Sequence, residues 1–475
     1  MSAKALIDAI QAVVGPKGIT TDAAAMSPYL DETRGLYQGT APAVAKPANT
    51  QEVAEIVKLC AAARVPIVAQ GGNTGLVGGA VPEDAIVLSL ERMNTIEAVD
   101  PVNLTMTVQA GCILADVQTA AADAGAYFPL SLGAEGSCRI GGNLSTNAGG
   151  VHVLRYGNAR DLVLGLEVVL ADGRVWNGLR GLRKDNTGYD LKALFLGAEG
   201  TLGIITRAVL RLYPKPQSTC VALAGCGSAE AALELFQTAR SRAGEVLSAC
   251  EYMNTLSLDL AEKHIAAAKC PLEGRHAAYV LLEFTSSDAD ADLNALMEAV
   301  LSDAFEAACV EDAVIAQSHA QAQAIWALRE AVPEAQKLEG GSIKHDVSVP
   351  VSKVAEFLGL GTELVERLIP NVRTCAFGHI GDGNIHFNLT QPEGADKQAF
   401  LDQWDATNRA VHDVVMAMNG SFSAEHGVGR LKTGEMARLK DPVELDLMRT
   451  LKAALDPLGV LNPGKVLPTA TEDQK

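Results

Sequence analysis

No two cysteines stand close enough in this chain to act as a unit. The nine thiols, Cys60, Cys112, Cys138, Cys220, Cys226, Cys250, Cys270, Cys309 and Cys375, form no CxxC or CxxxC pair, and their number is odd. A disulfide framework, a zinc knuckle and an iron–sulfur cluster of the chain's own are thereby excluded. Scattered thiols act as small apolar filler and point to a reducing compartment, so a cytoplasmic location is expected. Basic runs are missing as well. The balance of 39 Lys and Arg against 57 Asp and Glu leaves a net charge of −18. Nucleic acid and anionic membrane surfaces reward clustered cations, so neither is an expected partner. No stretch reaches the roughly 18 uninterrupted apolar residues of a membrane span. Residues 1–22 are amphipathic and lack a signal peptide's apolar core and small-residue cleavage site. Histidine is sparse, at nine in 475 residues.

What is present is glycine in clusters. Length alone predicts about three domains of ~150 residues, or two with an inserted cap. Residues 4–14 read as a helix stopped by Gly15-Pro16, and Asn49 with Glu52 opens a second helix as a capping box. A short strand, Ile67–Ala69, then runs into GGNTGLVGG. Five glycines in nine residues let backbone N–H groups approach a ligand such as a pyrophosphate, although a flexible surface loop has the same composition. The loop is neither GxGxxG entering a helix nor GxxxxGK[ST], which argues against a nicotinamide site or a P-loop. After a helix over Leu114–Asp123 comes a polar glycine-rich run, Pro129 to Asn158, suited to many hydrogen bonds with one extended ligand. A third loop, Gly197 to Gly203, feeds a strand, and Pro214-Lys215-Pro216 reads as a boundary. From 217 to about 415 the pattern becomes helices on a mainly antiparallel sheet.

The other singular stretch is Gly378 to Asn388, GHIGDGNIHFN. A DG pair between short apolar arms predicts a tight hairpin. His379 and His386 are seven apart, the wrong parity for one straight strand, but a reversal at Gly381–Asn384 lets the rings converge. His386 and Asn388 share a face. Two imidazoles with a carboxylate suit a divalent transition metal, and Glu425-His426 in SAEHGVGR supplies one downstream. Surface or structural histidines would leave the same spacing; His345 and His412 are read that way.

PIVAQGGNTGLVGG, the LGAEG…GGNLSTNAGG…LRYGN run, GAEGTLGIIT, GHIGDGNIHFN, AEHGVGRLK and LNPGK occur in this order over residues 25–467. Together they resemble the FAD-dependent D-2-hydroxyacid dehydrogenases of the vanillyl-alcohol oxidase / p-cresol methylhydroxylase superfamily. TRGLYQG is more similar to the hydroxyglutarate branch than to the lactate branch. The resemblance implies an α+β fold: a two-subdomain FAD-binding domain over 1–215, a substrate cap over 216–420, and a segment over 421–475 returning to the FAD domain. It implies non-covalent FAD. Gly71, Gly72, Asn73, Thr74, Gly75, Leu76, Gly78 and Gly79 would cradle the pyrophosphate. Gly136, Ser137, Gly142, Asn143, Ser145, Thr146, Asn147, Gly149, Gly150, Tyr156 and Gly157 would line the flavin ring and ribityl chain, and Glu199, Gly200, Gly203, Ile204 and Ile205 the adenosine end. His379, His386 and Glu425 match metal ligands, with zinc or manganese as the ion. Arg329, Lys344, Asn388 and His426 match substrate-contacting positions. Pro333 stands where hydroxyglutarate-specific relatives tend to carry a hydroxyl residue.

The chemistry accounts for these residue types. A 2-hydroxy acid loses a proton from oxygen and a hydride from Cα, which FAD can accept. A metal can chelate carboxylate and hydroxyl together. His426 is the expected general base. Arg329 offers a planar fork and Lys344 a point charge, a pair suited to a substrate with a second carboxylate. Electrons would pass on to an electron-transferring flavoprotein or a quinone, and a homodimer is expected by analogy. A D-lactate, glycolate or D-malate dehydrogenase is the alternative within the family. A metallohydrolase or a flavin carrier without catalysis would use only part of these features.

Overall fold

The computed structural model describes residues Met1–Thr469, and the chain divides into two compact units. The first comprises residues 1–149, 158–215 and 425 onward; the second comprises 150–157 and 216–424. The short piece 150–157 thus goes with the second unit although it lies within the glycine-rich run.

The first unit carries two larger sheets and a two-stranded ladder of Ala126–Tyr127 with Tyr213–Pro214. One is four-stranded and mixed, in the order Ile19–Thr20, Val44–Ala45, Ile86–Ser89, Ile67–Gln70. Its last three strands run parallel and are almost wholly buried, as expected of strands covered on both faces. The helix Thr50–Ala63 packs its Val53, Ile56, Val57 and Cys60 inward. The expected cap forms: Asn49 accepts from the N–H of Glu52 at 2.9 Å, and the Glu52 carboxylate accepts from the N–H of Ala48 at 2.8 Å. The other sheet is antiparallel, with the order Ile96–Asp100, Thr105–Gln109, Ile204–Arg211, Val163–Val169, Val175–Gly178. The C-terminal stretch closes the unit, with Leu461 bridging Ile67 in parallel.

The second unit is built on an antiparallel eight-stranded sheet, in the order Asp312–Ile315, Ser218–Cys226, Ala278–Ser286, Leu247–Asn254, Arg373–His379, Asn384–Thr390, Ser342–Ile343. Asp346–Ser348 pairs with the other end of Asn384–Thr390. Strand alternation sorts the side chains onto two faces. Cys250, Tyr252, Ala376, Ile385, Phe387 and Leu389 point to a large core under the helices Ala229–Ala243, Leu293–Glu306, Val354–Leu368 and Trp404–Ala417. Met253, Cys375 and Phe377 point to the other core, beneath Thr255–His264, His319–Glu330 and Val332–Glu339. All nine thiols are free, and eight are buried. Among the described residues no helix is long and apolar enough to cross a membrane.

Candidate functional site

In the first unit the three glycine-rich loops lie against one another through bare backbone. A side chain at Gly72 would meet the carbonyl oxygen of Ser137 at 2.2 Å, and one at Gly71 the amide nitrogen of Gly142 at 3.3 Å. The N–H of Gly197 donates to the carbonyl of Leu144 and that of Glu199 to the carbonyl of Ser145. Side chains within the loops serve mostly to shape them. Asn73, at a φ of +53°, donates to the carbonyls of Pro28 and Asp31. Asn147, at +50°, accepts from the N–H of Arg160, and Thr146 donates to the carbonyl of Gly142. Ser137 donates weakly to Ala134, and Gly78, also left-handed, makes room for the Tyr37 ring.

Other predicted positions are occupied by the fold itself. Ile204 and Ile205 are buried in register with Val169 and Val168, and Gly203 is bare because Phe195 and Val168 fill the space beside it. Gly150, Tyr156 and Gly157 go with the second unit, where Tyr156 is buried. The Glu199 carboxylate accepts the N–H groups of Val428 and Gly429 at 2.7 and 2.9 Å. Burial pushes that carboxyl up to about 7 against the pull of those two bonds. A Cβ at Gly149 would strike Glu425 Oε1, so Glu425 closes on the loop that contains Gly142 and Asn143.

These residues fit FAD on an observation of their own. Asn143 is buried, yet its Oδ1 has no hydrogen-bond partner among the described residues. Positions beside Gly75 and Gly136 open onto space with no atom within 4 Å of a built Cβ. An orphaned buried acceptor among bare glycines is what a polar ligand with its own donors would complete.

The second unit presents a different kind of site. The strands Arg373–His379 and Asn384–Thr390 form the expected hairpin, with Phe377 opposite His386 and His379 opposite Asn384. His379 and His386 therefore stand diagonally on the Phe377 face, ring centroids 5.9 Å apart. Each imidazole faces a carboxylate from its register partner on a neighbouring strand. Glu251 lies opposite His379, and its Oε1 meets His379 Nδ1 at 2.6 Å. Asp346 lies opposite His386, with Oδ1 3.9 Å from His386 Nδ1. Neither carboxylate stood out in the sequence.

Arg329 reaches the same place from the helix His319–Glu330. Its Nε and Nη2 donate to Glu251 Oε2 at 2.9 and 2.8 Å, and its guanidinium lies 4.8 Å over the Phe377 ring. Burial raises the Glu251 carboxyl, but His379 and Arg329 together outweigh it and hold the group at about 2. Asn388, buried on this face, accepts from the N–H of His345 and donates to Gln336 at 3.0 Å. Lys344 precedes His345, half-buried between two short strands. Pro333 occupies the first turn of the helix Val332–Glu339, where a missing N–H costs nothing.

Comparison with known proteins follows this geometry. Residues 41–178 match the FAD binding domain, and residues 215–466 match the C-terminal domain of FAD linked oxidases. A mitochondrial D-2-hydroxyglutarate dehydrogenase of Arabidopsis thaliana is 39% identical over 96% of this chain and 80% of its own length. One from Bos taurus is 41% identical over 97% of this chain and 83% of its own. Among solved structures, p-cresol methylhydroxylase with substrate bound aligns with a TM-score of 0.76 at 17% identity, over 97% of this chain and 96% of its own, and shares the fold. The chain belongs to the FAD-linked oxidases. Within them it is an FAD-dependent oxidoreductase homologous to the D-2-hydroxyglutarate dehydrogenases.

One expectation is corrected by these relatives. They are named as mitochondrial proteins, against the cytoplasmic location read from the thiols. Unpaired thiols do not by themselves identify a compartment.

Proposed function

We propose that the protein oxidises a D-2-hydroxy acid, best D-2-hydroxyglutarate, to the 2-oxo acid. The observation that carries this is the diagonal pair His379 and His386, each backed by a carboxylate, on the sheet face that also holds Arg329 and Asn388. FAD, when bound, supplies the hydride acceptor, and a divalent zinc or manganese ion the Lewis acid. His379, His386 and Glu425 would hold the ion, with Asp346 as a further oxygen donor opposite His386. Two imidazoles and carboxylate oxygens suit either metal. Donating Nδ1–H to Glu251 leaves His379 Nε2 as its ligating nitrogen.

His426 takes the hydroxyl proton as general base. Arg329, with donors beyond the two engaged by Glu251, and Lys344 hold the substrate's carboxylates, and Asn388 orients it. Two cations favour a diacid. The alternative within the family, D-lactate, would leave one of them without a role. The electrons pass to an electron-transferring flavoprotein or a quinone, and the protein works as a homodimer.

Anaerobic visible absorbance tests this reading, with D-2-hydroxyglutarate, D-lactate, D-malate and their L-forms added in turn. Bleaching of the flavin by the D-diacid, abolished by a chelator, is the expected result. Bleaching by D-lactate alone would move the substrate to the alternative; a flavin reduced by none of them would overturn the substrate class.

A further inference from the structure

Glu251 lies on Leu247–Asn254, a central strand of the second unit's sheet, and is 0% exposed. A buried carboxylate costs several kcal/mol unless its oxygens are fully engaged, and a leucine would serve the surrounding core better. Here both oxygens are engaged, and by different elements. Oε1 takes His379 Nδ1 from the adjacent strand, in direct cross-strand register. Oε2 takes two donors of Arg329 from the helix His319–Glu330. Phe377 packs against Arg329, whose guanidinium lies 4.8 Å over its ring, and against the second histidine of the pair, His386, with ring centroids 5.0 Å apart.

We propose that Glu251 is a positioning residue shared by two halves of the site: one oxygen fixes the tautomer and orientation of His379 as a metal ligand, and the other fixes the guanidinium of Arg329 for a substrate carboxylate. The proposal rests on the assignment of His379 and Arg329 made above. An ion pair that merely pinned the helix to the sheet would need Arg329 alone. The 2.6 Å contact to His379 is the part such an anchor does not explain.

The test uses E251Q in the full-length flavoprotein. A glutamine has one oxygen for two sets of donors, so its NH2 must face either His379 Nδ1 or Arg329. Metal affinity, measured by competition with a chromogenic chelator, should fall about 10- to 100-fold, the usual cost of losing the partner of a ligating histidine. KM for the diacid should rise while FAD content and far-ultraviolet circular dichroism stay those of the parent. Unchanged metal affinity and unchanged KM in folded E251Q would overturn the proposal and leave the site assignment standing. A parent protein that binds neither zinc nor manganese would overturn the site assignment itself. Should E251Q fail to fold, E251D keeps the buried charge but draws it back by one methylene from its partners. Weakened metal binding there supports the positioning role, and parent-like binding overturns it.

Discussion

The two units build their candidate sites by opposite means. In the first, the candidate cofactor loops are made of bare backbone, and their side chains are spent on holding the loops in shape. In the second, an antiparallel sheet presents side chains at cross-strand positions, and each histidine stands opposite a carboxylate on a neighbouring strand. Backbone recognition depends on the absence of atoms, so a single methyl group disrupts it. Side-chain recognition depends on specific atoms, so it fails one function at a time.

That contrast can be broken most forcefully at Gly72. G72A places a methyl group 2.2 Å from the Ser137 carbonyl and 3.0 Å from the Cys138 Cα, both unyielding backbone. Bound flavin, read from absorbance at 450 nm, should fall more than about tenfold as the two loops are forced apart. Gly75 sharpens the point, because no protein atom lies within 4 Å of its built Cβ. G75A should fold with parent-like thermal stability, so any loss of flavin there reports the ligand itself.

On the side-chain half, H426A should lower turnover by about two to four orders of magnitude while FAD remains bound. Near-parent turnover would remove its role as base. H386A should lower bound metal and activity together; an unchanged metal content by atomic absorption would remove it from the ligand set.

The smallest expected effect lies away from both sites. Burial raises the Glu339 carboxyl, but Lys263, His264 and Arg373 more than offset it and hold the group at about 2. A carboxyl depressed below its ordinary 4.5 stabilises the fold above that value, and the contribution drains away as pH falls from 4.5 toward 2. E339Q should therefore lower the apparent Tm by roughly 2–6 °C at pH 7. The gap to the parent should close below pH 4 in a series of thermal scans. A gap independent of pH would mean that packing, not charge, holds this residue.

The same contrast governs what could be read from the sequence. Glycine clusters and the DG hairpin are local signals, because the residues that make the structure are neighbours in the chain. The helix over Leu114–Asp123 and the capping box at Asn49 formed for the same reason. Glu251 was invisible because its partners His379 and Arg329 lie 128 and 78 residues away. A faint signal did exist. Glu251 in LSACEYMN and Glu283 in AYVLLEFTS are lone carboxylates inside apolar strand runs. A charge in such a run must have found partners. Glu283 found Ser248, Trp326 and His152.

That last contact has a consequence for how the chain is made. His152 and Arg155 belong to the piece 150–157, which docks on Glu283 and Thr285 of the second unit. The first unit in turn takes the strand partner Leu461 and the Glu199-bound amides of Val428 and Gly429 from the far end of the chain. On a ribosome, the unit begun first is therefore finished last. Its parallel strand Ile67–Gln70 and the Glu199 loop wait for almost the whole polypeptide, while the second unit can close as soon as residue 424 has emerged. A nascent chain stalled once residue 424 has emerged would carry a completed second unit and an open first one.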